Sequence, residues 1–128
     1  QGLGMIVIDH MGLLKSATKG SRYEIVTELS HSIKRLALSL SVPIVTLCQL
    51  NRENEGRNDR RPRLSDMRDS GAIEEDCDAV MLLHRDAPQD AKPWESQPMY
   101  VNVAKNRHGC TGGTQLRFYG LTARIIEG

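Results

Sequence analysis

The sequence predicts an α/β domain with parallel central strands flanked by helices, ending in an antiparallel hairpin. Three observations predict it. Two continuous apolar runs, Gly4-Met5-Ile6-Val7-Ile8-Asp9 and Ile44-Val45-Thr46-Leu47-Cys48-Gln49-Leu50, frame a long helical pattern. Runs of this kind are buried on both faces, as in the centre of a parallel sheet. Between them, Val26, Leu29, Ile33, Leu36 and Leu40 recur at spacings of three and four, one apolar stripe along a helix. Strand, helix and strand in that order form a right-handed crossover with parallel strands. Finally, two alternating runs at 99–105 and 114–119 flank a Gly-rich turn, the pattern of a hairpin.

The elements follow in order. With 128 residues the chain has the length of one domain. Residues 16–20 are polar and loop-like, and Ser21-Arg22-Tyr23-Glu24 reads as a capping box opening the helix. Pro43 stops that helix near Ser41. Residues 51–64 are charged, contain Gly56 and Pro62, and predict a mobile loop rather than a linker. Ser65 or Asp66 can cap a short helix reaching about Asp76, with Ile73 facing inward. Residues 79–84 are a third buried strand, residues 87–98 an exposed loop, and 122–126 a last edge strand. Gln1-Gly2-Leu3 enters a strand almost at once with no initiator Met, which reads as a fragment of a longer chain.

Composition excludes several classes of function. A net charge of +1 gives no global field for nucleic acid, although residues 52–68 hold six arginines against four carboxylates. Cys48, Cys77 and Cys110 lack CxxC spacing and cannot all pair, which favours free thiols and a reducing compartment. The four histidines show no zinc-ligand spacing. No apolar run is long enough for a membrane span, and no signal-peptide pattern is visible. A soluble cytosolic protein is the expectation. A Ser-His-Asp hydrolase lacks its G-x-S-x-G elbow.

The chemistry sits at strand ends. Ligands of an open parallel sheet bind beyond the carboxyl ends of its strands, and Asp9 and Gln49 occupy two such ends. An apolar run ending in Asp is the Walker B pattern, where a carboxylate holds Mg²⁺, usually through water, beside a nucleotide's phosphates. A glutamine amide both donates and accepts, which suits it to sensing a γ-phosphate. Lys105 and Arg107, two cations at alternate positions of a strand running into the Gly-rich turn, point to one face and reach toward a neighbouring molecule.

Taken in order, these segments resemble one family. They are Met5-Ile6-Val7-Ile8-Asp9-His10, Ser41-Val42-Pro43-Ile44-Val45-Thr46-Leu47-Cys48-Gln49-Leu50-Asn51-Arg52, Arg61-Pro62, Ser65-Asp66-Met67-Arg68-Asp69-Ser70-Gly71-Ala72-Ile73-Glu74-Glu75-Asp76-Cys77-Asp78 and Lys105-Asn106-Arg107-His108-Gly109. The chain resembles the C-terminal half of the RecA-like motor domain of DnaB-type replicative DNA helicases. The likeness covers nearly all 128 residues, and Gln49 to Asp78 is its most specific stretch. It implies a partial RecA-like three-layer fold over 1–128, ATP and Mg²⁺ as cofactors, and ATP-driven unwinding by a homohexameric ring on single-stranded DNA. Primase and a helicase loader are the implied partners, in the cytoplasm of a bacterium or encoded by a phage. It further implies that Asp9 is the magnesium residue and Gln49 the switch linking phosphate state to DNA. Arg107 would be an arginine finger acting on the adjacent subunit's nucleotide, with Lys105 as companion. Arg68, Asp69 and Gly71 would contact the single-strand backbone.

Two positions depart from the family pattern: Asp69 stands where Glu is often found, and His10 where Tyr is frequent. No G-x-x-x-x-G-K-[ST] loop occurs in the sequence, and the family's catalytic glutamate would lie upstream of Asp9. The alternatives are a truncated or degenerate RecA-like module that binds DNA or a partner without catalysis, and a RecA-like ATPase of recombination or clock type. A phosphate loop upstream in the parent gene separates the first of these from the enzyme.

Overall fold

A computed structural model describes residues 2–50, 60–67, 71–85, 90–92 and 94–127. The chain divides into two compact units, Gln1–Asn58 with Leu64–Cys77, and Asp59–Arg63 with Asp78–Gly128.

In the first unit, β1 (Ile6–Ile8) pairs in parallel with β2 (Ile44–Thr46), in the register Ile6↔Ile44, Val7↔Val45 and Ile8↔Thr46. The helix between them, α1 (Arg22–Leu40), starts where its sequence says it should. The Ser21 hydroxyl accepts from the Glu24 amide, and the Glu24 carboxylate accepts from the Ser21 amide at 2.7 Å. Those bonds, the backbone one first, hold the Glu24 carboxyl below its usual range. A depressed carboxylate contributes its stability above the unfolded value, and loses it only as pH falls through the folded one. At the other end Ser41 takes a left-handed conformation, φ 53°, and its N–H reaches Ala37 and Leu38 carbonyls. The Pro43 carbonyl then accepts from Ile6 N–H at 3.0 Å, the rung that opens the parallel pairing.

The buried residues of this unit are Met11, Leu29, Ser30, Asp66, Met67, Ala72 and Ile73. Two come from α1, and two from α2 (Gly71–Asp76), the short helix expected from the sequence. Its start differs from expectation, because Leu64–Asp66 forms a separate 3₁₀ turn and Met67 bridges to Leu50. The helices are cross-linked by polar groups. Ser30 Oγ donates to Asp76 Oδ2 at 2.6 Å, and His31 Nδ1 lies 2.8 Å from the same oxygen. The strands themselves depart from the reading of burial on both faces. Val7 and Val45 remain 62% and 41% exposed. Among the described residues, nothing covers that side of the sheet.

The second unit is an antiparallel meander, β3 (Ala79–Arg85), β4 (Ser96–Asn106), β5 (Gly112–Tyr119) and β6 (Arg124–Glu127), paired in that order. Strand β3 departs from the expectation of burial throughout, and its burial alternates instead. Val80 and Leu82 are buried, whereas Met81 and Leu83 are 63% and 54% exposed. One covered face is what an antiparallel sheet needs, even when both faces carry apolar residues. The register slips between Val80 and Met81, leaving Ala104 as the extra residue of a bulge in β4. The β4–β5 pairing draws the backbones together where Gly113 lies over Val101, since a Cβ there would sit 3.3 Å from the Val101 carbonyl oxygen.

Removing Asp76 takes from the buried Ser30 hydroxyl its short partner, so Asp76→Ala should destabilise the first unit by about 1–3 kcal/mol. Hydrogen exchange at the α1 amides around Ser30 should accelerate. Unchanged exchange would show that the cross-link contributes nothing.

Candidate functional site

The backbone ladder of the first unit runs past the named strands. Leu47 N–H donates to the Ile8 carbonyl at 2.9 Å, and Met11 N–H to the Leu47 carbonyl at 3.0 Å. Leu47 therefore lies across from the segment holding Asp9, and Gln49 follows two residues on. Both predicted residues stand at carboxyl ends of adjacent parallel strands, where such sheets bind ligands. Both are exposed. His10 caps the 3₁₀ turn Met11–Leu13, its Nδ1 accepting from Gly12 N–H at 3.1 Å. The peptide bond between Asp9 and His10 is cis.

Beside these ends lies a cavity of about 350 Å³, lined by His10, Arg22, Cys48 and Gln49 with apolar Met11 and Ile73 among its walls. Cys48 offers no nucleophile there. Burial, with the nearby Cys77 adding, pushes its thiol above the ordinary value, so it stays protonated at neutral pH. Its Sγ rests 3.8 Å from the Met11 sulfur. A lone carboxylate of Asp9 at an exposed strand end is a hard oxygen donor, which suits Mg²⁺ held largely by water and phosphate. No group of three or more His, Cys, Asp or Glu with metal-site geometry occurs among the described residues.

Gly71 is the first residue of α2, in the same unit. Arg68 and Asp69 lie outside the described residues.

Lys105 and Arg107 belong to the second unit. The turn there is shorter than expected, because Asn106 ends β4 and Gly112 begins β5. Lys105 is half-buried within β4. Arg107 lies past the strand end and does not stand clear of the body. Its N–H donates to the Asp78 carbonyl at 2.7 Å, and its guanidinium to the Asp78 carboxylate at 3.3 Å. With side chains 46% and 52% exposed, that ion pair is worth about 0–1 kcal/mol and is easily exchanged for another anion. Simple alternation missed this because the bulge at Ala104 and the end of the ladder both reset side-chain direction.

Sequence reasoning also missed the brace of the turn. The Asn106 amide accepts from His108 N–H at 3.2 Å and donates to the Cys110 carbonyl at 3.3 Å. An Asn opening a tight turn and followed by Gly was the available signal.

The comparisons with known proteins agree with this geometry. The sequence model of the DnaB-like helicase C terminal domain matches residues 1–127. The replicative DNA helicase DnaB of Geobacillus stearothermophilus is 43% identical over 119 residues, covering 91% of this chain and 26% of that protein. A probable plasmid replicative DNA helicase of Chlamydia psittaci is 41% identical over 128 residues, covering 98% and 27%. The chain thus spans about a quarter of the length of these relatives.

Among solved structures, a DnaB-like replicative helicase studied with its interactions with primase superposes with a TM-score of 0.83. It is 33% identical, over 97% of this chain and 31% of that one. A second solved structure, of a helicase ATPase domain, gives a TM-score of 0.86 at 32% identity, over 97% and 44%. The fold is that of part of a RecA-like helicase ATPase domain. On its end-to-end match and its strand-end pair Asp9 and Gln49, the chain belongs to the DnaB-like helicase C-terminal domain family.

Proposed function

We propose that residues 1–128 are the distal half of the RecA-like ATPase domain of a replicative DNA helicase. The complete protein couples ATP hydrolysis to translocation on single-stranded DNA and to duplex unwinding during replication. The observation that carries this reading is the placement of Asp9 and Gln49 on adjacent parallel strand ends, in a chain matched over 1–127 by one helicase family. The exposed outer face of β1 and β2 fits a domain whose other half supplies the remaining cover.

Each residue then has a task. Asp9 holds Mg²⁺ through water, and the ion neutralises phosphate charge as hydrolysis proceeds. Gln49, two-sided in its hydrogen bonding, registers the terminal phosphate and passes its state along β2 toward the segment that begins α2. Arg107 reaches the nucleotide of the adjacent subunit, with Lys105 beside it, leaving its exposed pairing with Asp78 at small cost. Arg68, Asp69 and Gly71 contact the single-strand backbone, which tracks phosphates without reading sequence. The working assembly is a homohexameric ring in the cytoplasm of a bacterium, or phage-encoded, with a loader and primase as partners. A primase partner is supported by the structural relative solved with its primase interactions. None of the described helices is long and apolar enough to cross a membrane.

The 128 residues by themselves should show no ATPase activity, because Asp9 and Gln49 only trim a phosphate site whose cradle they lack. Magnesium-dependent turnover by the purified chain, lost in Asp9→Ala, would overturn this.

In the complete protein, Arg107→Ala should abolish DNA-stimulated hydrolysis and leave nucleotide binding nearly unchanged, since the group acts on the transition state. Mixing Arg107→Ala subunits with subunits defective in the phosphate loop tests the geometry. Activity recovered at mixed interfaces supports a finger in trans, and none at any ratio assigns Arg107 to its own subunit or to folding.

A further inference from the structure

We propose that Tyr23 is a stacking platform for a nucleobase of the single strand whose backbone is held at Gly71. The inference rests on the DNA-path reading above and adds a base contact to it. Tyr23 is the second residue of α1, and 54% of this large aromatic residue is exposed. Its hydroxyl is the heavy atom nearest to where a side chain on Gly71 would begin, 3.9 Å from that Cβ position. The ring therefore lies beside the residue that opens α2, and nothing else crowds Gly71 within 4 Å. The Tyr23 hydroxyl makes no hydrogen bond among the described residues, so no polar contact there explains the ring's position.

The local structure fixes the ring where it stands. Ser21 and Glu24 close the capping box on either side of it. Seven residues further on, about 10 Å along the helix, Ser30 and His31 grip Asp76 and lock α1 to α2. The preceding loop is tied down as well. Ser16 Oγ donates to Glu28 at 2.7 Å, and accepts from Thr18 N–H at 2.9 Å. That loop carries the exposed Lys15 and Lys19, and Arg22 precedes the ring. Cations for phosphates around an open aromatic face for bases is the composition of a single-strand groove. Stacking on a ring tolerates any base, which agrees with a motor that tracks DNA irrespective of sequence.

The test measures binding of the complete protein to a short labelled oligothymidylate, and to an abasic strand of equal length. Tyr23→Ala should weaken oligothymidylate binding by about five- to a hundredfold, the range of one lost stacked base, and leave the abasic strand within about twofold. Tyr23→Phe, which keeps the ring, should bind both strands as the parent does. The slope of log affinity against log salt should not change in either variant, because stacking releases no counterions. Equal loss on both strands, no loss on oligothymidylate, or a changed salt slope would overturn the proposal. Arg68→Ala is the control for the underlying reading. If it weakens both strands and flattens the salt slope while Tyr23→Ala does nothing, the stacking platform alone fails. If neither variant matters, the DNA path itself lies elsewhere and the platform falls with it.

Discussion

Everything placed at the candidate site depends on the parallel pairing of β1 and β2. The rungs from Ile6 to Pro43, Leu47 to Ile8 and Met11 to Leu47 form one ladder, three bonds of 2.9–3.0 Å. A slip of one residue would turn every side chain of a strand to the opposite face, and would separate Asp9 from the level of Gln49. The register is held from outside the strands. Ser41 reverses the chain in a left-handed conformation, Pro43 bars further helix, and its carbonyl becomes the first acceptor of the sheet. The helix terminus and the site geometry are therefore one constraint seen at two ends of a strand.

The same economy joins the helices. Asp76 takes hydrogen bonds from Ser30 and His31 across the α1–α2 contact, in a region where Leu29, Ala72 and Ile73 are buried. Polar groups there select one relative placement of two helices, whereas apolar contacts alone would tolerate sliding. That placement sets Gly71 beside Tyr23 and close to the cavity that Gln49 and Ile73 share. Phosphate sensing and the single-strand contact then stand on elements that cannot shift independently. This is the physical requirement for coupling hydrolysis to movement.

Much of this was legible in the sequence, for local reasons. The capping box at Ser21, the stop before Pro43 and the apolar stripe of α1 use near neighbours, and near neighbours are what a sequence displays. Asp9 and Gln49 were legible because a strand end is a fixed place in a parallel sheet. The misreadings have equally physical causes. The apolar runs of β1 and β3 predicted two covered faces, yet Val7, Met81 and Leu83 are exposed, because what covers a face is settled by other segments. Alternation in the sequence has Arg107 projecting freely, and its guanidinium instead meets Asp78, 29 positions away. No local pattern encodes that pairing or the bulge at Ala104. The role of Asp76 was hidden for the same reason, since its partners lie 45 and 46 positions earlier.

The most direct measurement is DNA-stimulated ATP hydrolysis by the complete protein, comparing Asp9→Asn and Gln49→Ala with the parent. The two residues share a ladder but have different tasks. Asp9→Asn should lose magnesium-dependent hydrolysis by about two to three orders of magnitude, with or without DNA. Gln49→Ala should keep basal hydrolysis and lose its stimulation by single-stranded DNA. Parent-like hydrolysis in Asp9→Asn, or full DNA stimulation in Gln49→Ala, would contradict the account at its centre.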